Sequence, residues 1–251
     1  MRHLDTAEKP LKRVALIQSA YIPWKGFFDL IGRCDEYIIY DSAAFSKNHW
    51  HNRNRIKTPS GPRWLTIPVI TAGRLGQRID EVDVNPGWAD SHWARLVQTY
   101  RGAPYFSQLE PTMKALYDSA RQQLKLSAIN ELFIRKLTAA LKLDVRIVRD
   151  TTYEATGKRT ERIVSLCRGA GASHYLSGPS AAVYLEPDKF KQAGITLEWM
   201  SYGPYQPYEQ LHGPFEDRVS ILDVLFSLGP DRWKESLARQ QDHELAPKRI
   251  S

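Results

Sequence analysis

Cysteines are few in this chain of 251 residues, and neither a membrane-spanning segment nor a secretion signal is recognisable. The two cysteines, Cys34 and Cys167, lie far apart among apolar neighbours, so we predict buried free thiols rather than a disulfide or a nucleophile. No apolar run approaches the roughly 18 residues that a transmembrane helix requires, and the N-terminus lacks the apolar core of a signal peptide. These absences predict a cytoplasmic protein that makes no use of a membrane.

Motifs for metals, nucleotides and nucleic acids are missing as well. The histidines have no metal-ligand spacing, and neither G-x-G-x-x-G nor a P-loop occurs. The formal net charge of +7 favours anionic partners, yet no motif provides a recognition helix or a stacking platform for nucleic acid. We therefore predict no metal, no tightly bound cofactor and no nucleic-acid partner, but an anionic substrate.

Short apolar strands alternate with amphipathic helices along the chain. A strand at 13–18, a helix at 26–34 and a strand at 35–41 form one unit, as in a parallel sheet with a right-handed crossover. Further strands are predicted at 63–70, 78–84, 144–150, 173–178 and 195–202, and further helices at 158–171, 186–194 and 218–229.

A long helical stretch interrupts this alternation. Helices are predicted at 88–102, 105–124 and 127–143. Ser127 would be the N-cap of the third. We predict a single α/β domain over 13–238, with a mostly parallel, Rossmann-like sheet and a helical insertion at about 88–141. A flexible segment at 1–12 and a charged tail at 239–251 would flank this domain.

Residues with binding chemistry follow two of the predicted strands. Open α/β sheets bind ligands at strand-to-helix turns, because backbone amides at a helix N-terminus attract anions. Gln18, Tyr21 and Trp24 follow the first strand, and Ser177 and Gly178 lie at such a turn later in the chain. We predict a ligand cleft at this edge of the sheet. The alternative for Tyr21 and Trp24 is packing under the sheet.

The stretch "FSKNHWHNRNRIKTPSGPRWLTIPV", at 45–69, concentrates cations, amides and aromatic rings ahead of an apolar strand. It is either a solvated basic loop or an anion-binding surface. Together with "VALIQSAYIPWKGFFDLI" before it, this block resembles the WbqC-like family, and the resemblance continues through "YRGAPYF", "TERIVSLCRGAGASHYLSG" and "PYQPYEQLHGPFEDRVSILDVLFSLG". It covers about residues 13–230.

One departure from the family pattern concerns chemistry. Where the family usually has His-Gln-Pro-Asn, this chain has Ile17, Gln18, Ser19 and Ala20. A general acid or base at the family's histidine would therefore be lost here or supplied by another residue. His51 is the nearest chemical substitute.

The resemblance implies a tailoring enzyme of O-antigen, other surface-polysaccharide or natural-product biosynthesis. Acyl or aminoacyl transfer to an amino group would use a nucleotide-linked sugar or a carrier with a phosphopantetheine arm, and both are anionic. The basic block would supply the contacts. Lys47, Arg53 and Lys57 would bind phosphate, Asn52 and Asn54 would orient an amide or hydroxyl, and Trp50 and Trp64 would cover a ring. Ordinary loop charges and core tryptophans are the alternative.

Other candidates lie later in the chain. Thr160 and Arg162 would form a second anion contact at a helix start, unless they belong to an ordinary amphipathic helix. Asp223, among apolar neighbours, is either a catalytic base or a buried structural acid. Tyr208 and Gln210 precede it in a loop, which favours ligand binding.

Three functional hypotheses remain open at this point. The first is transfer with Asp223 or His51 as the base. The second is a nucleotidyltransferase-like enzyme, which the missing family histidine disfavours. The third is a non-catalytic module that binds a carrier protein or a nucleotide sugar and has no need of Asp223.

Overall fold

The computed structural model describes residues 11–237 of the chain. The predicted tail at 239–251 and most of the predicted segment at 1–12 therefore lie outside the described residues. Lys12, in that segment, is bonded to the domain. Its backbone N–H donates to the Ser173 hydroxyl at 2.8 Å, and its Nζ lies 3.0 Å from the Glu36 carboxylate.

The strands and α-helices of the described chain alternate before residue 40 and after residue 145. In chain order they are β1 (Arg13–Ile17), α1 (Lys25–Ile31), β2 (Glu36–Ile39), β3 (Arg53–Thr58), β4 (Gly61–Thr66), β5 (Val69–Ile70), β6 (Asp83–Val84), α2 (Trp88–Tyr100), α3 (Phe106–Ala120), α4 (Leu126–Ala140), β7 (Arg146–Arg149), α5 (Thr160–Gly169), β8 (His174–Ser177), α6 (Pro187–Gln192), β9 (Thr196–Trp199) and α7 (Ile221–Leu228).

β1 is the central strand of a five-stranded sheet with the order β7-β2-β1-β8-β9. All neighbouring strands are parallel. Parallel sheets are covered on both faces, and the alternation of side chains divides β1 between two cores. Val14 and Leu16 pack with α5 and α6, whereas Ala15 packs with α1 and the helical insertion. The prediction of a single α/β domain with a mostly parallel sheet is confirmed.

Residues 40–145 leave the sheet after β2 and return to it at β7. This stretch contains two antiparallel ribbons, β3–β4 and β5–β6, followed by α2, α3 and α4. The strands predicted at 63–70 and 78–84 therefore belong to the ribbons and not to the main sheet. The second of them is mostly a 3-10 turn at Ile79–Glu81, and only Asp83–Val84 is strand.

The basic block forms a β-hairpin, and the sequence did not predict its first strand. β3 pairs with β4 across a turn at Pro59 and Ser60. Its side chains alternate, with Asn54 and Ile56 buried on one face and partly exposed arginines on the other. The pattern was missed because the buried face begins with a polar residue, so apolar alternation is absent.

Two smaller predictions have opposite outcomes. Ser127 does not cap α4, because that helix begins at Leu126 and its N-cap position is Lys125. Cys34 and Cys167 are buried free thiols as predicted, and burial raises the pKa of each to about 12. Within residues 11–237, no helix combines the length and the apolar character needed to span a membrane.

Candidate functional site

A cavity of about 550 Å³ opens at the carboxyl end of β1. Its walls come from the turn after β1, the segment that leads into β3, the turn after β8 and the loop between β9 and α7. The lining residues are Ile17, Gln18, Ser19, Ala20, Pro23, Trp24, Phe27, His49, Trp50, His51, Asn54, Ser180, Tyr202 and Arg218. This volume is typical of small-molecule sites.

Five of the predicted site residues line this cavity: Gln18, Trp24, Trp50, His51 and Asn54. Trp24 forms part of an aromatic wall, with its ring centroid 5.4 Å from that of Tyr202. The structure thus brings the turn after β1 and part of the basic block to one place, although they are separated by about 30 residues of sequence.

Asn54 holds the turn after β1 in shape. Its Nδ2 donates to the carbonyl oxygens of Tyr21 at 3.1 Å and Ile22 at 2.8 Å, and its Oδ1 accepts the backbone N–H of Arg55 at 2.8 Å. Ile22 has φ of 38°, an unusual conformation for a β-branched residue. Asn54 therefore stabilises a strained turn that supports the cavity.

Ser19 connects three parts of the chain beneath the cavity. Its backbone N–H donates to Asp41 Oδ1 at 2.8 Å, and its carbonyl accepts from His51 Nδ1 at 3.0 Å. Its hydroxyl accepts from Asn130 Nδ2 at 3.0 Å, and the same amide group donates to the His51 carbonyl at 2.8 Å. The position of His51 is thus fixed from both the turn after β1 and α4.

These contacts also determine the protonation state of His51. A carbonyl oxygen only accepts hydrogen bonds, so Nδ1 carries the proton and Nε2 of the neutral ring has a free lone pair. Burial lowers the pKa of His51, the bond to Ser19 partly offsets this effect, and nearby His49 lowers the pKa further. The ring therefore lines the cavity as a neutral base at pH 7.

Asp41 is a buried carboxylate behind the cavity wall. Oδ2 has no hydrogen-bond partner among the described residues. Asp41 also borders a smaller cavity of about 90 Å³ with Asp80, Glu131 and Asp150. Burial raises its pKa to about 6, and the bond from Ser19 only partly counteracts burial. Within the described chain, no group of three or more His, Cys, Asp or Glu is arranged to hold a metal ion.

The cavity lining is positively charged. Among the described residues that line it, Arg218 carries the one fixed charge, and there is no carboxylate. Arg218 and Tyr202 are not among the predicted site residues, because the sequence predicts them as the ends of a helix and a strand, whereas in the structure both belong to the loop between β9 and α7. Their signal in the sequence is position: Tyr202 ends the last predicted strand, and Arg218 begins the last predicted helix.

The loop at 200–220, which carries Arg218, is fastened to the domain at several points. The Nζ of buried Lys25 lies 2.7 Å from Asp217 Oδ1, as an ion pair whose angles do not meet those of a hydrogen bond. The same Nζ lies 4.9 Å from the ring centroid of Tyr205. Burial lowers the pKa of Lys25, and Asp217 partly restores it. His212 bonds the carbonyl of Thr99 at 2.8 Å.

Asp223 is a structural anchor of this loop and does not line the cavity. It is fully buried, and its carboxylate accepts from Tyr208 at 2.6 Å, Gln210 at 2.8 Å and Tyr100 at 2.8 Å. Burial raises the pKa of Asp223, and these three donors oppose the rise. Asp223, Tyr208 and Gln210 thus bond one another and do not line the cavity, which is the arrangement of the buried structural acid that was the alternative for Asp223. The backbone N–H of Lys57 donates to the Tyr100 hydroxyl of this network at 3.0 Å, and Lys57 Nζ donates to the Pro214 carbonyl.

Tyr21 packs under the sheet, which was the alternative given above. It is fully buried, and its hydroxyl lies 2.9 Å from His92 Nδ1 and 2.8 Å from the Tyr117 hydroxyl. Its ring contacts Phe133 edge-on at 5.4 Å between centroids. The Tyr21 hydroxyl is therefore bonded within the core, and the residue does not line the cavity.

The remaining residues of the basic block lie outside the cavity. Asn52 is buried, and its Nδ2 donates to the Ile67 carbonyl at 2.9 Å. Lys47 is exposed. Arg53 donates to the Asn48 carbonyl and lies 4.3 Å from the ring centroid of Trp64, which is exposed.

Thr160 and Arg162, the predicted second anion contact, each bond a backbone carbonyl group of the domain. Thr160 is buried, does not cap α5, and bonds the carbonyl of Tyr184 at 3.4 Å. Arg162 donates to the Ala155 carbonyl at 3.0 Å. Ser177 is buried at the end of β8, and neither it nor Gly178 lines the cavity; Ser180 does.

Comparison with known sequences identifies the family. A sequence profile of the WbqC-like protein family matches residues 18–235. The chain belongs to the WbqC-like family. A relative of this WbqC-like protein is the uncharacterized protein Rv1507c of Mycobacterium tuberculosis (strain ATCC 25618 / H37Rv), which is 40% identical over 222 residues, or 88% of this chain and 96% of the relative. No solved structure matches. Apart from Ile17, the whole cavity lining falls within the matched range.

Proposed function

We propose that this WbqC-like protein is a biosynthetic tailoring enzyme that transfers an acyl or aminoacyl group to an amino group. The substrate would be a nucleotide-linked sugar or a carrier-bound molecule of surface-polysaccharide or natural-product biosynthesis. The observation that carries this proposal is His51, a neutral imidazole whose Nδ1 is bonded to Ser19 and which lines a positively charged cavity.

The reaction requires a base and an anion contact. The acceptor nitrogen attacks the carbonyl carbon of a thioester, forming a C–N bond and breaking the C–S bond. His51 Nε2 takes the proton that the nitrogen loses and returns it to the departing sulfur. Arg218 holds an anionic part of the substrate, and Trp24 and Tyr202 cover an apolar part.

His51 also accounts for the departure from the family pattern. Ile17 and Ala20, which replace the family's histidine and asparagine, line the same cavity as His51. Position 51 is bonded to Ser19, between these two residues in sequence. These contacts support the proposal that His51 substitutes for the family's histidine in this cavity.

The test is amine-dependent thiol release from acyl thioesters of coenzyme A and of carrier proteins, with amino-sugar nucleotides as acceptors. We expect His51→Gln to lower kcat/KM by about 10²- to 10⁴-fold while binding persists, as for loss of a general base. In the wild type, activity should rise with pH through a pKa below 6.5 and then stay level, because protonated His51 accepts no proton.

His174→Gln is the matched control. His174 begins β8, at the amino end of that strand, whereas the cavity opens at the carboxyl end of β1, so this substitution should leave the rate unchanged. Equal rates for wild type and His51→Gln would show that His51 is not the base. Binding without any thiol release would instead favour a binding module, for which Ile17 and Ala20 in the lining are the supporting observation.

A further inference from the structure

Trp50 and Trp64 form an exposed indole pair at the edge of the cavity. Their ring centroids are 5.3 Å apart, and the residues are 41% and 46% exposed. Trp50 lines the cavity, and Trp64 lies on β4, one ring further out. Indoles seldom face water in contact with one another without a binding role, because each carries a large apolar surface.

Guanidinium groups surround the outer indole. Arg53 lies 4.3 Å and Arg55 5.8 Å from the ring centroid of Trp64. Arg55 and Trp64 are directly opposite each other in the hairpin, so they share its face. Arg55 is also 3.5 Å from Glu216, whose carboxylate accepts the backbone N–H of Arg218 at 3.0 Å.

These groups lie partly beside the cavity and partly in its lining. Trp64 and Arg55 lie outside the cavity lining, whereas Trp50, Arg218 and His51 belong to it. This group of charged side chains contains three cations and one carboxylate, so positive charge is in excess; its members are Arg53, Arg55, Arg218 and Glu216. Phosphate groups would bind favourably between the indoles and the cavity.

We infer that Trp50 and Trp64 stack the base of a nucleoside diphosphate whose phosphates bind Arg55 and Arg218. This inference rests on the proposed function, because it names the substrate class for the same cavity. Such a molecule carries a base for the indoles, a diphosphate for the guanidinium groups and an attached group for the cavity. Bases stack on aromatic side chains irrespective of their identity, and arginine strengthens the stack.

Other planar or phosphorylated ligands fit this surface less well. A phosphopantetheine arm contains no ring and would leave both indoles in water. A sugar ring on the indoles would need acceptors for its hydroxyl groups, whereas Glu216 is paired with Arg55 and the other charged groups are donors only.

The experiment is calorimetric titration of the full chain with uridine diphosphate, adenosine diphosphate and inorganic pyrophosphate. We expect both nucleotides to bind more tightly than pyrophosphate. Trp64→Leu should weaken nucleotide binding about tenfold and leave pyrophosphate within about twofold, and Trp64→Phe should restore most of the loss. Arg55→Ala should weaken all three ligands.

Arg63→Ala is the matched control, because Arg63 lies opposite Ile56 and so on the other face of the same hairpin. It should change no affinity. Equal wild-type affinity for nucleotides and pyrophosphate, or nucleotide binding unchanged in Trp64→Leu, would overturn the inference. Circular dichroism verifies that each variant is folded.

Two outcomes separate this inference from the proposed function. If only phosphopantetheine thioesters bind and amine-dependent thiol release occurs, the nucleotide site is wrong and the transfer stands. If nucleotides bind as expected, in wild type and His51→Gln alike, but no thioester donor is consumed, the nucleotide site stands and the transfer is wrong.

Discussion

Asp41, the buried carboxylate behind the cavity wall, makes the stability of the folded chain depend on pH. Its pKa is raised from 3.8 to about 6, chiefly by burial. A carboxyl group whose pKa is raised in the folded state stabilises that state most when the group is protonated, at pH values below its pKa in the unfolded chain. That contribution is lost as the pH rises from about 4 through about 6.

We expect Asp41→Asn to abolish this component of the pH dependence. A difference of about 2 pKa units corresponds to roughly 3 kcal/mol between the two ends of the window. The measurement is the free energy of unfolding in urea at several pH values between 4 and 7, with the variant subtracted from the wild type. Asp144→Asn, at an exposed position, is the control variant. A flat curve for Asp41→Asn would mean that its pKa is ordinary.

The sequence only partly predicts which polar side chains line the cavity and which are buried in the core. The sequence predicts His51 as a catalytic residue and Tyr21 as a ligand contact, yet only His51 lines the cavity, and Tyr21 bonds His92 and Tyr117 in the core. Buried polar groups need partners, and a core network supplies them as well as a ligand does. Arg218 lines the cavity because of the path that its loop takes through space, and no local pattern in the sequence indicates that path.

Among the elements, the loop at 200–220 depends most on side-chain anchors. It has no regular backbone pairing for most of its length, and Asp223 receives hydrogen bonds from two of its residues, Tyr208 and Gln210. It also carries Tyr202 and Arg218 to the cavity. Loosening its anchors should therefore affect ligand binding as well as stability.

Tyr208→Phe removes one anchor with little change in volume. We expect a loss of about 1.5–3 kcal/mol in the free energy of unfolding, as for a hydrogen bond to a charged group, and faster amide hydrogen exchange within 203–219. Tyr184→Phe, at an exposed tyrosine, is the control and should cost little. Unchanged exchange in the loop would show that Asp223 does not hold it.

At the same scale, the main-sheet strands and the three insertion helices were predictable, and β3 was not. Apolar runs such as that of β1 are what a parallel sheet requires. In β3, the inward positions begin with Asn54, whose amide serves the turn after β1. Its role depends on a partner more than 30 residues away, so no local pattern reveals the strand.

The whole molecule is built around a core that the sheet and the helical insertion share. One cluster of buried side chains includes Phe28 of α1, Tyr37 of β2, Phe133 of α4 and Phe226 of α7. Neither the insertion nor that face of the sheet would keep its apolar side chains covered without the other. This arrangement favours a single cooperative unfolding transition.

We therefore expect tryptophan fluorescence and far-ultraviolet circular dichroism to report the same midpoint in urea. Trp88 and Trp93 belong to the insertion, whereas Trp199 belongs to the sheet, so fluorescence samples both parts. A fluorescence change that precedes the loss of circular dichroism would show that the insertion unfolds independently.

The return of β7 to β2 also constrains how the protein is made. β2 ends at Ile39, and the strand that covers its outer edge begins at Arg146, after residues 40–145 have been synthesised. Until then, β2 presents unpaired backbone groups to other chains. Domains with such distant pairings fold slowly and are exposed to aggregation meanwhile. During translation, the nascent chain thus has an open sheet edge until more than half of the polypeptide has left the ribosome.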